Sequence, residues 1–276
     1  MELEKFGIWT SYRAIGEENA GAAAALVERL GYGALWLGGS PRLPTLRPLL
    51  QATDSLVIAT GIVNVWAYEP AQLAEEYAAL SAEFPDRLLL GIGIGHPEAT
   101  SHYEKPLTKM RTFLDGLTSV PRESMCIAAL GPKMLDLSAE RTRGTHPYFT
   151  PPAHTRFARE RLGVGALVAP ELAVVVDTEG DPAAAKAAAR RYAALYLNLR
   201  NYTSNLLNFG FTEADIADGG SDRLIDTIVP QGGAADLAAA AREHVAAGAD
   251  HVCLQTAGVQ GVPEREWTEL AAELIG

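Results

Sequence analysis

A histidine behind three alternating glycines, in LLLGIGIGH over residues 88–96, is the plainest candidate for chemistry in this chain. Imidazole titrates near neutral pH, so His96 is suited to move a proton or to hold a ligand by hydrogen bonds. The glycines invite a dinucleotide reading, which needs G-x-G-x-x-G between a first strand and its helix. Here Gly91, Gly93 and Gly95 stand two apart, the sixth position is His96, and Pro97 interrupts any immediate helix. The motif also follows a fourth strand, not a first, so that reading fails. Two remain open: the bare backbone lets packed elements approach closely, or it lets a flat ring lie against it.

Other residue types repay the same scrutiny. Residues 38–42 read G-G-S-P-R and miss the last glycine of a hydrolase nucleophile elbow, so Ser40 reads as a turn residue. The six histidines are His96, His102, His146, His154, His244 and His251, with no H-x-H or H-E-x-x-H among them. His96, His146 and Asp177 would still lie near one end of a barrel, which keeps a metal-dependent barrel hydrolase as a competing reading. His244 and His251 read as structural. In AALGPKML, Pro132 suits a first helical position, and the amides around Gly131 and Lys133 would bind a phosphate. An ordinary strand-to-helix turn explains the same residues. Asn64, Trp66 and Tyr68 would project near the end of a third strand, where aromatic rings stack on planar ligands or pack beneath a helix.

The elements that must position these residues alternate regularly. Short apolar runs at 5–9, 34–37, 56–60, 88–92, 125–129, 145–149, 172–176 and 251–255 read as strands, separated by amphipathic helical stretches. In EPAQLAEEYAAL, Leu73, Tyr77 and Leu80 keep the helical period, and Gly31, Gly163 and Gly248 stand where helices stop. Eight strand–helix alternations with apolar strands imply a (β/α)₈ TIM barrel, an α/β fold whose active site lies at the C-terminal ends of the strands. The interval 177–250 is too long for one connection and reads as a helical insertion between strands 7 and 8 on that face. No linker-like tract divides residues 1–276, so one domain is expected.

Composition narrows the partners. The 276 residues carry 23 Lys plus Arg against 34 Asp plus Glu, a net charge of −11. Such a surface repels nucleic acid and anionic membranes on average. The acidic N-terminus has no signal-peptide core, and no apolar run approaches a membrane span. Cys126 and Cys253 lie far apart in apolar runs and read as buried free thiols, in keeping with a cytoplasmic protein.

Several segments together resemble the bacterial luciferase-like superfamily, in its deazaflavin (coenzyme F-420)-dependent oxidoreductase branch. They are GIWT, GYGALWL, the block ATGIVNVWAYEPAQLAEEYAALSAEFPDRLLLGIGIGH, AALGPKMLDLSAER, GTHPYFTPPAHT, and GGSDRLIDTIV with AAGADHVCLQ. The resemblance implies a barrel with a deazaflavin or FMN across its mouth, hydride transfer to or from a small-molecule substrate, and a homodimer. It implies a cis peptide at Gly61–Ile62 bulging against the ring, ring contacts from Asn64, Ile94, Gly95 and His96, and phosphate contacts from Ala128, Ala129, Leu130, Gly131, Pro132 and Lys133. The substrate pocket would draw on Ser11, Tyr12, Ser40, Trp66, His146, Tyr202 and Asn205, with His96 as the catalytic group and no metal. The sugar-phosphate dehydrogenases of that branch carry an Asp-His pair after strand 2 and a glutamate after strand 4; here those positions read Gly39, Ser40 and His96, which puts a sugar-phosphate substrate in doubt. That departure keeps open a cofactor-binding protein without turnover, and the ring and phosphate-bearing side chain that FMN shares with the deazaflavin keep open an FMN-dependent monooxygenase.

Overall fold

A computed structural model describes residues 1–96 and 105–276 of the chain; Pro97 and His102 lie outside the described residues. Its strands are β1 (Phe6–Ser11), β2 (Ala34–Gly38), β3 (Val57–Thr60), β4 (Val63–Asn64), β5 (Leu88–Gly93) and β6 (Met125–Ile127). They continue with β7 (Gly144–Thr145), β8 (Leu167–Val168), β9 (Glu171–Val176), β10 (Gln231–Gly232) and β11 (Val252–Thr256). The strand pairs are parallel, in the order β10-β9-β11-β1-β2-β3-β5-β6-β7-β8, with β4 on β5.

β8 and β9 are one barrel strand broken at Ala169-Pro170, because proline has no N–H to give a ladder. The break is where the barrel closes. Ala169 N–H donates to Thr145 O and Glu171 N–H to Pro147 O, both at 2.9 Å, while Cys253 N–H donates to Pro170 O at 3.0 Å on the other side. The chain is therefore a (β/α)₈ TIM barrel, with β3 and β4 as the two halves of its third strand.

Side chains of a strand alternate between faces, and the buried clusters separate by that parity. Ala34, Trp36, Val57, Ala59, Leu89, Cys126, Leu167, Ala169 and Cys253 pack together inside the barrel. Leu35, Leu37, Ile58, Leu88, Leu90 and Ile127 pack outward, under the surrounding helices. The same parity turns Gly91, Gly93, Glu171, His251 and Gln255 inward.

Details differ from the sequence expectation where local chemistry intervenes. LPTLRPLLQ forms a 3-10 turn and a short helix, Leu43–Leu46 and Arg47–Gln51, where no helix was expected. The sixth strand stops at Thr145, since Pro147 and a left-handed Phe149 (φ 56°) bend the chain after it. The seventh begins five residues earlier than the apolar run LAVVV indicated, at Leu167. Between β9 and β11 lie the helices Pro182–Ala193, Arg200–Asn208, Glu213–Ile216, Asp222–Ile228 and Ala234–Ala246, the inserted segment among them. Phe149, Val175, Ala189, Tyr202, Leu206, Leu224 and Ile225 give that insertion a hydrophobic cluster of its own on the barrel's end. No helix among the described residues is long and apolar enough to cross a membrane.

Candidate active site

The third strand breaks after Thr60, and the peptide between Gly61 and Ile62 is cis. β4 then resumes pairing on β5, with Val63 opposite Ile92 and Asn64 opposite Gly93. The glycines of β5 make room for this detour. A Cβ on Gly91 would lie 2.0 Å from Thr60 O, and one on Gly93 2.6 Å from Ile62 Cγ1. Gly95 has φ 65°, and its Cβ would meet Asn64 Nδ2 at 2.7 Å. Asn64 is itself fixed: its N–H donates to Ser40 Oγ at 2.9 Å and its Oδ1 accepts from Trp66 N–H at 3.0 Å. Ser40 adopts a left-handed turn (φ 54°), the role its sequence context indicated.

A cavity of about 560 Å³ opens over this detour at the C-terminal end of the strands. Of the residues singled out from sequence, it brings together Ser40, Gly61, Ile62, Asn64, Ile94, Gly95, His96, Ala128, Leu130, Gly131, His146 and Tyr202. Seven others stand outside its lining. Ser11 caps the short helix Tyr12–Ile15 through Ala14 N–H. Tyr12 donates its hydroxyl to Thr45 O. Trp66 braces the loop, its Nε1–H donating to Ile94 O at 2.7 Å. Ala129 is wholly buried in the core, and Pro132 and Lys133 sit exposed in the first turn of helix Pro132–Arg141. Asn205 is buried on helix Arg200–Asn208, behind the cavity wall.

His96 Nδ1–H donates to Asn201 Oδ1 at 3.0 Å, across to the insertion, which fixes the ring and leaves Nε2 as the nitrogen a ligand would meet. His146 is buried and stacked on Trp36, with ring centroids 4.1 Å apart. Its Nδ1–H donates to Ala169 O at 2.7 Å, and burial lowers its pKa to about 4, so it is neutral. His146 Nε2 and Trp9 Nε1 are buried without a partner, an acceptor and a donor both facing the place where a Cβ on Gly61 would be. At the opposite end Gly131 is exposed, with open space where a Cβ would be, just before Pro132 opens its helix.

The metal arrangement considered from sequence does not assemble. Asp177 Oδ1 accepts from Asp181 N–H at 2.9 Å in a turn, while His146 lies inside the barrel against Trp36. Among the described residues no group of three or more His, Cys, Asp or Glu could hold a metal ion. His251 is structural, as expected: it takes Trp36 Nε1–H at 3.1 Å inside the barrel.

Sequence reasoning missed Trp9, Met134, Tyr148, Tyr196 and Asn201, all in the lining. The parity of FGIWTS would have turned Trp9 inward. The spacing of Tyr192 and Tyr196, one helical turn apart, marks an aromatic face that meets Tyr148.

Comparison with known proteins agrees with the barrel fold. The family model for luciferase-like monooxygenases matches residues 5–124. No curated protein matches the chain in sequence. Among solved structures, an F420-dependent secondary alcohol dehydrogenase in complex with an F420-acetone adduct superposes with a TM-score of 0.76 at 15% identity, covering 98% of each chain. The coenzyme F420-dependent tetrahydromethanopterin reductase from Methanopyrus kandleri gives 0.75 at 15% identity over 99% of each. The FMN-bound oxygenating constituent of 3,6-diketocamphane monooxygenase, a type II Baeyer-Villiger enzyme of Pseudomonas putida, gives 0.70 at 13% identity over 98% of this chain and 96% of that one.

Proposed function

From a luciferase-like barrel whose residues 5–124 match the monooxygenase family model, we propose that this protein is a deazaflavin-dependent oxidoreductase acting on a small organic substrate. The observation that carries the reading is the cavity itself: a floor of Gly61–Ile62, a wall of Gly93–His96, and a helix start at Gly131. A tricyclic ring with a phosphate-bearing side chain needs a flat backbone shelf at one end and free amides at the other. The unpartnered Trp9 Nε1 and His146 Nε2 beside Gly61 fit a ring edge that carries both a carbonyl and an N–H.

Bound there, a deazaflavin would supply hydride transfer and react poorly with dioxygen. The protein's share is position and electrostatics. Ile62 and the backbone of Gly93 through Gly95 would support the ring, Asn64 would hold its edge, and Ala128 through Lys133 would meet the phosphate at a helix N-terminus. Ser40, His146 and Tyr202 would shape the substrate side. His96, tied by Asn201 through Nδ1, would take a proton at Nε2 when substrate is oxidised.

The family match to monooxygenases supports FMN as a second reading. Fluorescence titration of the full chain separates the two: deazaflavin binding tighter than FMN by tenfold or more is expected, and FMN binding alone would replace the first reading with the second.

A further inference from the structure

Beneath the cavity a series of hydroxyls runs to a buried carboxyl group. Tyr196 and Tyr148, both in the cavity lining, meet with 2.8 Å between hydroxyls. Tyr148 meets Tyr192 at 2.6 Å, and Tyr192 reaches Glu171 Oε1 at 3.5 Å. Gln255 Oε1 braces the series, within 2.8 Å of the Tyr148 hydroxyl and 3.0 Å of the Tyr192 hydroxyl. Glu171 itself is 1% exposed on the inward face of β9, and its Oε2 accepts from Phe149 N–H at 3.2 Å.

Nothing cationic balances that carboxyl group. The groups that act on it or feel it are Tyr148, Tyr192, Tyr196, Tyr202 and Cys253, from the segment after β7, the insertion and β11. Among the described residues it forms no ion pair. A lone carboxylate in such surroundings is costly and takes up a proton instead. Burial accordingly pushes Glu171 up to about 8. The supply of hydrogens favours the same state: the five contacts Tyr196–Tyr148, Tyr148–Tyr192, Tyr192–Glu171, Tyr148–Gln255 and Tyr192–Gln255 share only three tyrosine protons, and a protonated Glu171 adds a fourth.

The geometry points to a proton relay, Glu171–Tyr192–Tyr148–Tyr196, that delivers one proton from inside the barrel to a substrate being reduced in the cavity. It deepens the hydride-transfer reading above and rests on it. When hydride adds to a carbonyl or enone carbon, the π pair moves to oxygen or to the α-carbon, and that atom needs a proton. Tyr196 ends the series in the cavity lining, where such an atom would lie. Tyr196 O–H breaks as the new bond to the substrate forms. Tyr148 then gives its proton to Tyr196, Tyr192 to Tyr148, and Glu171 to Tyr192. Glu171 is left a carboxylate and regains its proton along the same series once product has left. Tyr196 is the catalytic residue here; the other three act through it.

Two measurements on the full-length chain test the relay. Infrared difference spectra of wild type against Glu171→Gln, without cofactor, should show a protonated carboxyl band at pH 7 that fades as pH rises through about 8; no such band would overturn the proposal. Single-turnover reduction of a simple enone by chain preloaded with reduced deazaflavin should slow by roughly 100-fold or more in Tyr196→Phe. Cofactor affinity, read by fluorescence, should stay within about twofold in that variant, since general-acid loss affects the chemical step. In Glu171→Gln the alkaline fall in rate should disappear. Tyr192→Phe, an exchange that only removes a hydroxyl, should repeat that effect if the glutamine variant folds poorly. Binding and turnover retained with an unchanged pH profile would overturn the relay alone. Failure of the wild-type chain to bind either cofactor would overturn the functional reading and the relay's role in reduction with it.

Discussion

Gly91 and Gly93 share an alternation but not a consequence. The atom facing a Cβ on Gly91 is a backbone carbonyl, Thr60 O at 2.0 Å, held by its strand; the atoms facing Gly93 belong to the Ile62 side chain, at 2.6 Å. Gly91→Ala should therefore fail to give soluble, folded protein. Gly93→Ala should fold with about 1–3 kcal/mol less stability in urea denaturation, the usual cost of overpacking, because Ile62 can turn aside. Equal tolerance of the two would contradict this account. The sequence showed the spacing of these glycines but not its cause, which is a detour in the neighbouring strand. Trp9 offers a second test at this scale. Its Nε1–H already lacks a partner, so Trp9→Phe gives up no hydrogen bond in the ligand-free chain and should cost only the packing of the indole's outer ring over Gly38, about 1 kcal/mol. The same change should weaken deazaflavin binding about tenfold if that N–H serves the ring. Unchanged affinity would remove the indole from the cofactor's contacts.

At the scale of elements, the insertion and the barrel are held by different means. The barrel strands were legible because apolar runs alternate with helical periods, and their failures fall where proline or a left-handed residue ends a run, as at Pro147, Phe149 and Pro170. The insertion was legible only as excess length. Its order depends on caps: Thr212 and Asp215 form a reciprocal capping box, and Ser221 Oγ takes Leu224 N–H at 3.2 Å while donating to Asp215 at 2.7 Å. Arg190 joins the insertion's helices through Gly220 O and Asp222. Because this part has its own hydrophobic cluster, it should open separately from the barrel. Ser221→Ala should cost the segment 212–228 about 1 kcal/mol. Hydrogen exchange would show this as roughly fivefold faster exchange there, with β1, β2 and β5 unaffected. Equal acceleration in those strands would mean that the two parts open as one. The cavity's remaining wall, including Tyr196, Asn201 and Tyr202, comes from this insertion, so apart from Trp9, whose strand parity could have announced it, the site residues that sequence reasoning missed or named without a partner had no strand register.

For the whole molecule, the buried titratable groups set a pH of greatest stability. His146, His154, His244 and His251 are buried, and burial lowers each from 6.5 to about 4. As pH falls through that window the unfolded chain binds protons that the folded chain refuses, so stability is lost on the acid side. Glu171 works in the opposite sense. It rises from 4.5 to about 8, and across that window the folded chain keeps a proton that the unfolded chain has released, so stability is lost as pH rises. At pH 6.5 the unfolded chain still holds about two protons on these four histidines against the one that folded Glu171 keeps, and the balance reverses near pH 7. Stability should therefore peak near pH 7 and fall by roughly 0.6 kcal/mol per unit towards pH 8, because the histidines' remaining uptake and the partial release from Glu171 leave less than half of one proton's slope. Urea denaturation at intervals between pH 4.5 and 8.5 would trace both limbs. Glu171→Gln should flatten the alkaline limb and leave the acid limb in place, because the amide cannot release a proton while the histidines still resist taking one up. An alkaline limb that survives the substitution would mean that Glu171 is ionised in the folded protein, and the interior proton that the relay requires would not be there.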